Sequence, residues 1–260
     1  MIFRLIRVYV VSLAEELKNY SFPNYLKNMN VDLLLVLLRS TIDGSVSVSS
    51  LAEETRMPVG VVKQNLLGLA KKGLVTYIDE RGFEVSGEQR LGLALFALGE
   101  GADVERVCKA LGWREFEDLA AIALEHNGFK TKKHFRFKTS GKRFEVDVVG
   151  LREPLALSVE CKHWKRSWVR AATVDVVRTH VERTAALAHF LPEPKDRLGV
   201  ARWREVRVMP LVLTLSKTPL KIYNGVPVVP IFYFNNFLNE MQTYMDGLML
   251  FPMVKPSRIA

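Results

Sequence analysis

The run Ser158-Val159-Glu160-Cys161-Lys162-His163-Trp164 sets a carboxylate and an ammonium two residues apart. They lie at the end of an apolar segment, Leu155-Ala156-Leu157-Ser158-Val159, that reads as a β-strand. Ionised groups are costly to bury unless they are paired or bound to a metal ion. In a strand, residues i and i+2 share a face, so Glu160 and Lys162 point together while Val159 and Cys161 point the other way. The same rule applied to the preceding run, Arg143 to Val149, puts Glu145 and Asp147 on one face and Phe144, Val146 and Val148 on the other. The connection Gly150-Leu151-Arg152-Glu153-Pro154 is short and turn-like, so a hairpin brings Asp147 beside Glu160. Two carboxylates and a lysine are the parts required for metal-assisted phosphodiester hydrolysis. The acids supply hard oxygen ligands to Mg²⁺, and the lysine positions or deprotonates the attacking water, or stabilises the charge that builds up on the phosphoryl oxygens.

The spacing Glu-x-Lys carries little by itself, because it also occurs at Glu16/Lys18 and Glu193/Lys195. Context separates the three. Glu16 falls in a predicted helix and Glu193 in the proline-rich turn Leu191-Pro192-Glu193-Pro194-Lys195-Asp196, whereas Glu160 ends an apolar strand preceded by an acid-bearing one. The competing reading is an ordinary cross-strand ion pair on the surface, which contributes only ~0–1 kcal/mol.

The elements that must hold these residues follow from periodicity. Residues 113–245 read as an α/β domain: a helix over Glu115–Leu124 that stops near Asn127-Gly128, strands at 143–149 and 155–161, a helix across 171–190, strands at 206–215 and 226–233, and a last helix from Asn235 to Met245. Residues 30–90 read differently. A helix over 32–40, a second begun by the capping-box spacing Ser50-Leu51-Ala52-Glu53, and a third with Pro58 at its first position precede a hairpin, Leu74–Ile78 and Phe83–Val85. Three short helices and a hairpin resemble a winged helix-turn-helix, in which Lys63, Gln64 and Asn65 would be recognition residues and Arg81 would mark the wing tip. The region serves either DNA or protein contact on this reading. Residues 1–29 form an N-terminal extension, 91–112 a helical bridge and 246–260 a C-terminal tail.

Charge sharpens the division. The 260 residues carry a formal charge of +9 and a pI near 9.6, which points to a polyanionic partner. Residues 30–100 hold 7 Lys/Arg against 9 Asp/Glu, whereas residues 129–183 hold 14 against 6, so the excess surrounds Glu160. Within it, Lys130, Lys132, Lys133, Arg136, Lys138, Lys142 and Arg143, with Phe135 and Phe137 interleaved, form a candidate phosphate-contacting ridge; the alternative is a solvated hairpin. Trp164 and Trp168 read as packing residues. Cys108 and Cys161 are too far apart and too few for a zinc site or a disulfide framework, which predicts a reduced, cytoplasmic protein, and His134, His180 and His189 show no zinc spacing. The run Val8–Ala14 is marginal for a signal peptide, and no segment reaches the ~18 apolar residues of a membrane span. Three glutamines, Gln64, Gln89 and Gln242, point weakly to a thermophilic source.

The segments Phe144–Gly150 and Ser158–Trp164 together resemble the PD-(D/E)xK nuclease superfamily, with Asp147, Glu160 and Lys162 matching its Asp, Glu and Lys. The helix beginning Glu115-Phe116-Glu117-Asp118 is similar to the first helix of Mrr-type restriction endonucleases and archaeal Holliday-junction resolvases, whose acid in a Phe-Glu step matches Glu117. The Cys-Lys-x-Trp form at Cys161–Trp164 is Mrr-like. The resemblance covers about residues 113–240 and implies a restriction endonuclease-like mixed sheet flanked by helices. It further implies a Mg²⁺-dependent DNA endonuclease, with Mn²⁺ able to substitute, in which Glu117, Asp147 and Glu160 hold metal and Lys162 serves the water. His163, Lys165, Arg166 and Arg170 follow the catalytic strand, where family members contact the DNA backbone. Val146 replaces the usual Pro before the Asp. The Gln common in the following helix has Arg178 or His180 in its place, to which no role is assigned. The competing expectations are a non-catalytic DNA-binding or regulatory protein and a ribonuclease; a homodimer is compatible with each.

Overall fold

The computed structural model describes residues 29–42, 44–79, 82–163, 169–191 and 197–253. Arg81, Lys165, Arg166, Trp164, Trp168, the two other Glu-x-Lys pairs, most of the N-terminal extension and the end of the C-terminal tail lie outside the described residues. The chain divides into two compact units, Met1–Glu115 and Phe116–Ala260.

In the first unit α1 spans Val31–Ser40, started by the Asn30 side chain, which accepts from the amides of Asp32 and Leu33. Its six consecutive residues Leu33–Leu38 are all buried. Helix α2, Val48–Thr55, is capped three residues before the expected Ser50: Ser47 is the cap, accepting from Ser50 N at 3.1 Å, so the Ser50–Glu53 pair falls inside the first turns. Helix α3 covers Val59–Lys71, and Pro58, with extended backbone, caps it instead of opening it. Strands β1, Thr76–Asp79, and β2, Gly82–Glu84, pair antiparallel. Gly82 is required there, since its φ is +143° and an added Cβ would stand 2.2 Å from the Val46 carbonyl oxygen. Helices α4, Gly87–Gly99, with a Ser86/Gln89 capping box, and α5, Val104–Ala110, complete the unit.

Buried Arg90 of α4 fastens this unit together. Its guanidinium donates to the Leu38 carbonyl at 2.5 Å, to Thr41 Oγ1 at 2.8 Å and to the Ala110 carbonyl at 3.0 Å, and it pairs with Glu115.

The second unit starts within α6, Trp113–His126, which ends at Gly128 with φ +77°. Then follow β3 (Lys130–Thr139), β4 (Lys142–Arg152), β5 (Leu155–Lys162), α7 (Arg170–Phe190), β6 (Arg207–Thr214), β7 (Ile222–Tyr223), β8 (Val226–Pro230), α8 (Ile231–Glu240), a 3-10 turn (Met241–Gly247) and β9 (Phe251–Pro252). The seven strands form one mixed sheet in the order β3-β4-β5-β6-β8-β7, with β9 beside β6. The pairs β3–β4 and β4–β5 are antiparallel, and β5–β6 and β6–β8 are parallel. Helix α7 packs on β6, β3 and β4, and α8 on β8 and β6. This is the mixed α/β architecture flanked by helices that the sequence predicts.

The late elements shift from their expected bounds. The strand expected to reach residue 233 stops at Pro230, whose extended backbone caps α8 and lets Ile231, Phe234 and Leu238 turn inward at helical spacing. Among the described residues, no helix is long and apolar enough to cross a membrane.

Candidate active site

The β4–β5 ladder runs from Arg152↔Leu155 to Val148↔Val159 and ends there. Asp147 and Glu160 are the next residue on each strand, so both acids stand where the two strands part. Beyond that point the Cys161 amide is free of the β4–β5 ladder and donates to Asp147 Oδ2 at 2.8 Å. The far edge of β5 stays paired through the site, with Glu160↔Val212, Cys161↔Leu213 and Lys162↔Thr214 in register with β6. The hairpin brings the predicted residues together on backbone that is fixed from one side.

Glu160 is 3% exposed and both its oxygens are engaged. Lys162 Nζ lies 2.6 Å from Oε1, and Arg183 Nη1 of α7 donates to Oε2 at 2.6 Å. His180, fully buried on the same helix, has Nε2 2.7 Å from the Ser158 carbonyl and Nδ1 3.6 Å from Glu160 Oε2. A carbonyl only accepts, so Nε2 carries the proton. Burial pushes the His180 imidazole below its ordinary value, against the pull of Glu160. For Glu160, burial alone would raise the carboxyl, but His180, Lys162 and Arg183 outweigh it and hold it below the usual range.

The other two acids behave in the opposite way. Asp147 is pushed up to about 6 by burial and by Glu160, with the Cys161 amide, Lys162 and Arg183 pulling down. Glu117, buried on α6, is pushed up to about 8 by desolvation and then by Asp147, Asp118, Glu145 and Glu160. Its Oε2 has no hydrogen-bond partner among the described residues, and the nearest cationic candidate, His134 Nδ1, is 3.5 Å away. A buried carboxylate oxygen left unpaired beside two further acids is what a divalent cation would satisfy. The donor set is all hard oxygen, which suits Mg²⁺ or Mn²⁺. Among the described residues, no three His, Cys, Asp or Glu side chains already stand in a cage around a common point.

Cys161, expected to face the core, is only partly buried; desolvation and the neighbouring acids push its thiol well above the ordinary value. Glu145 lies at the rim, paired with Arg136 Nε at 2.8 Å. Lys130, Lys132, Lys133, Arg136, Lys138, Lys142 and Arg143 are all exposed along the β3–β4 hairpin, with Lys133 paired to Asp118. An open groove of about 660 Å³ there is lined by Arg136, Lys138, Arg143 and Arg197 around Phe137 and Phe144, with Glu145 as its one acid. His163 follows β5 with its ring 5.4 Å from that of Phe116, and exposed Arg170 opens α7. Lys63 is exposed on α3 in the first unit.

Sequence reasoning missed three residues. Arg183 lies three positions after His180, on the side of α7 that meets β5; the buried spacing Val177, His180, Thr184, Leu187 was the available signal. Arg178, weighed for that helix, is exposed and paired with Asp175. His134 faces Glu117 and Glu145 from β3, with a left-handed φ of +49° that no strand pattern announces. Arg197 enters the basic groove from a loop, its guanidinium donating to the Arg136 carbonyl at 2.8 Å.

Residues 108–191 match the Mrr catalytic family model described as "Restriction endonuclease", and the mixed sheet flanked by helices is consistent with a restriction endonuclease-like fold. The chain is 28% identical over 137 residues to an uncharacterized protein of Archaeoglobus fulgidus, covering 51% of this chain and 94% of that one. It is also similar to two solved structures. One is the protein of unknown function AF1548, at 18% identity and TM-score 0.25, covering 39% of this chain and 46% of the other. The second is protein VC1899 from Vibrio cholerae, at 12% identity and TM-score 0.36, covering 95% and 56%. The chain thus spans about half the length of these two solved structures.

Proposed function

We propose that this protein is a Mg²⁺-dependent DNA endonuclease, with Mn²⁺ able to replace Mg²⁺. The observation that carries this reading is the set of three acids at the β4–β5 fork, two of them held above their ordinary values, beside one lysine. Glu117, Asp147 and Glu160 would hold the ion, which supplies positive charge opposite the oxygens of a phosphodiester during in-line displacement. Lys162 sits on the rim of this set, a quarter exposed, and orients or deprotonates the attacking water. The Cys161 amide fixes the rotamer of Asp147 by occupying one of its oxygens. The basic β3–β4 hairpin and its groove hold the flanking DNA backbone, and Arg170 and His163 lie beyond the catalytic strand. Within the first unit, helices α1 to α3 and the β1–β2 hairpin act as a winged-helix-like module. Its net charge and the exposed apolar Val59, Val61, Tyr77 and Ile78 favour protein contact over a phosphate-binding role.

The test offers duplex, flapped, four-way-junction and single-stranded DNA, and RNA, to the full chain with Mg²⁺, Mn²⁺ or EDTA. Cutting of DNA is expected only with metal, abolished in Asp147→Ala and reduced about 10²- to 10⁴-fold in Lys162→Ala. Binding without cutting would leave a regulatory DNA-binding protein, and preferential cutting of RNA would make it a ribonuclease. Cutting that survives both substitutions would move the site elsewhere.

A further inference from the structure

Each oxygen of Glu160 accepts from a different cation: Oε1 from Lys162 and Oε2 from Arg183, both at 2.6 Å. The two donors are placed differently. Lys162 belongs to the same strand as Glu160, whereas Arg183 reaches in from α7 and is one-third exposed. The His180 ring lies near Oε2, but its Nε2 meets the Ser158 carbonyl and its Nδ1 stands 3.6 Å from Oε2 with no hydrogen-bond partner among the described residues, so Arg183 is the donor that this oxygen uses.

A divalent cation on Glu160 would lie within a few ångströms of the guanidinium. Two like charges at that distance in a largely buried site repel strongly, so Arg183 and the ion cannot both sit on Oε2. Lys162 is two positions from Glu160 on the same strand and can keep Oε1. Arg183, on a long side chain at the mouth of the site, can leave. A released guanidinium at that place has a planar fork of donors suited to a phosphate oxygen.

We infer that Arg183 is a resident counter-ion that occupies Glu160 Oε2 in the metal-free protein, yields it to the divalent cation, and then contacts the phosphodiester. It is a positioning residue before metal binding and a substrate-contacting one after. The inference rests on the metal-dependent reading above.

The sign of one measurement separates this from a structural ion pair. Competition predicts that Arg183→Gln binds Mn²⁺ several-fold more tightly than the wild type in the absence of DNA, as read by the electron paramagnetic resonance of free Mn²⁺. A residue that merely orients Glu160 predicts weaker binding on substitution. In cleavage assays Arg183→Gln is expected to raise KM and lower kcat despite the tighter metal binding, with Arg183→Lys recovering part of both. A second readout needs no altered protein to remain folded: on titrating the wild type with diamagnetic Mg²⁺, the side-chain ¹⁵Nε–¹Hε resonance of Arg183, assigned by its loss in Arg183→Lys, should move. Unchanged or weaker Mn²⁺ affinity in Arg183→Gln, or an Arg183 resonance that stays fixed at Mg²⁺ saturation, overturns the inference alone. A wild type that binds neither ion overturns the metal-dependent reading as well.

Discussion

Glu117 concentrates the chemistry of the site in one side chain. It is buried, its Oε2 has no hydrogen-bond partner among the described residues, and desolvation together with Asp147 and the other acids lifts it to about 8, while Asp147 is lifted to about 6. In the metal-free protein these two groups hold protons that the unfolded chain, with carboxyl pKa values near ~4, has released. The folded state therefore binds more protons than the unfolded state above pH ~4, and stability falls as pH rises through about 6 and then about 8. Glu160, held low, acts in the opposite sense only below its ordinary value of 4.5 and does not enter this window. In EDTA the melting temperature should drop by several degrees between pH 5 and 8, each kcal/mol corresponding to ~2–4 °C in a chain of this size. Glu117→Gln should flatten the upper part of the profile, and that comparison cancels the effect of overall charge. Scanning calorimetry giving the same profile for both proteins would count against the assignment of Glu117.

At the scale of elements, the placement of side chains depends on how ladders end and how helices are tied. The β4–β5 ladder stops at Val148↔Val159, and that fork sets Asp147 and Glu160 just beyond the last paired residues. Period-two alternation told which residues share a face; it did not tell that the Cys161 amide turns to Asp147. In the first unit, Arg90 links the end of α1, the end of α5 and Glu115 through a single buried guanidinium. Removing one partner of a buried pair leaves the other charge and two carbonyls unsatisfied, which typically costs ~3–5 kcal/mol. Arg90→Met should therefore lower the hydrogen-exchange protection of α1 and α4 strongly while the amides of β5 and β6 keep theirs. Full protection of α1 in that variant would show that the guanidinium contributes little.

Over the whole molecule the charge is uneven, and the basic residues of the second unit line its hairpin groove. Each phosphate neutralised adds ~0.9 to the slope of log affinity against log salt on duplex DNA. With Asp147→Ala as the background, to prevent cutting, Lys138→Ala and Arg143→Ala should each lower that slope by about 1, and Lys63→Ala in the first unit should leave it unchanged. Fluorescence anisotropy over a salt series decides this; an effect of Lys63→Ala equal to that of the hairpin substitutions would move DNA contact onto the first unit.

The sequence alone determined the α/β class of the second unit, the face shared by Glu160 and Lys162, and the hairpin that carries Asp147 to Glu160. Those properties follow from local periodicity and a short connection, which a single chain segment encodes. Tertiary structure decided what surrounds them. Arg183 and His180 reach Glu160 from 20 or more residues along the chain, through the packing of α7 on the sheet. His134 joins Glu117 only because β3 pairs with β4. Such contacts depend on register and helix crossing, which no spacing along the sequence specifies, and they set which oxygens of the acids are held and which stay open.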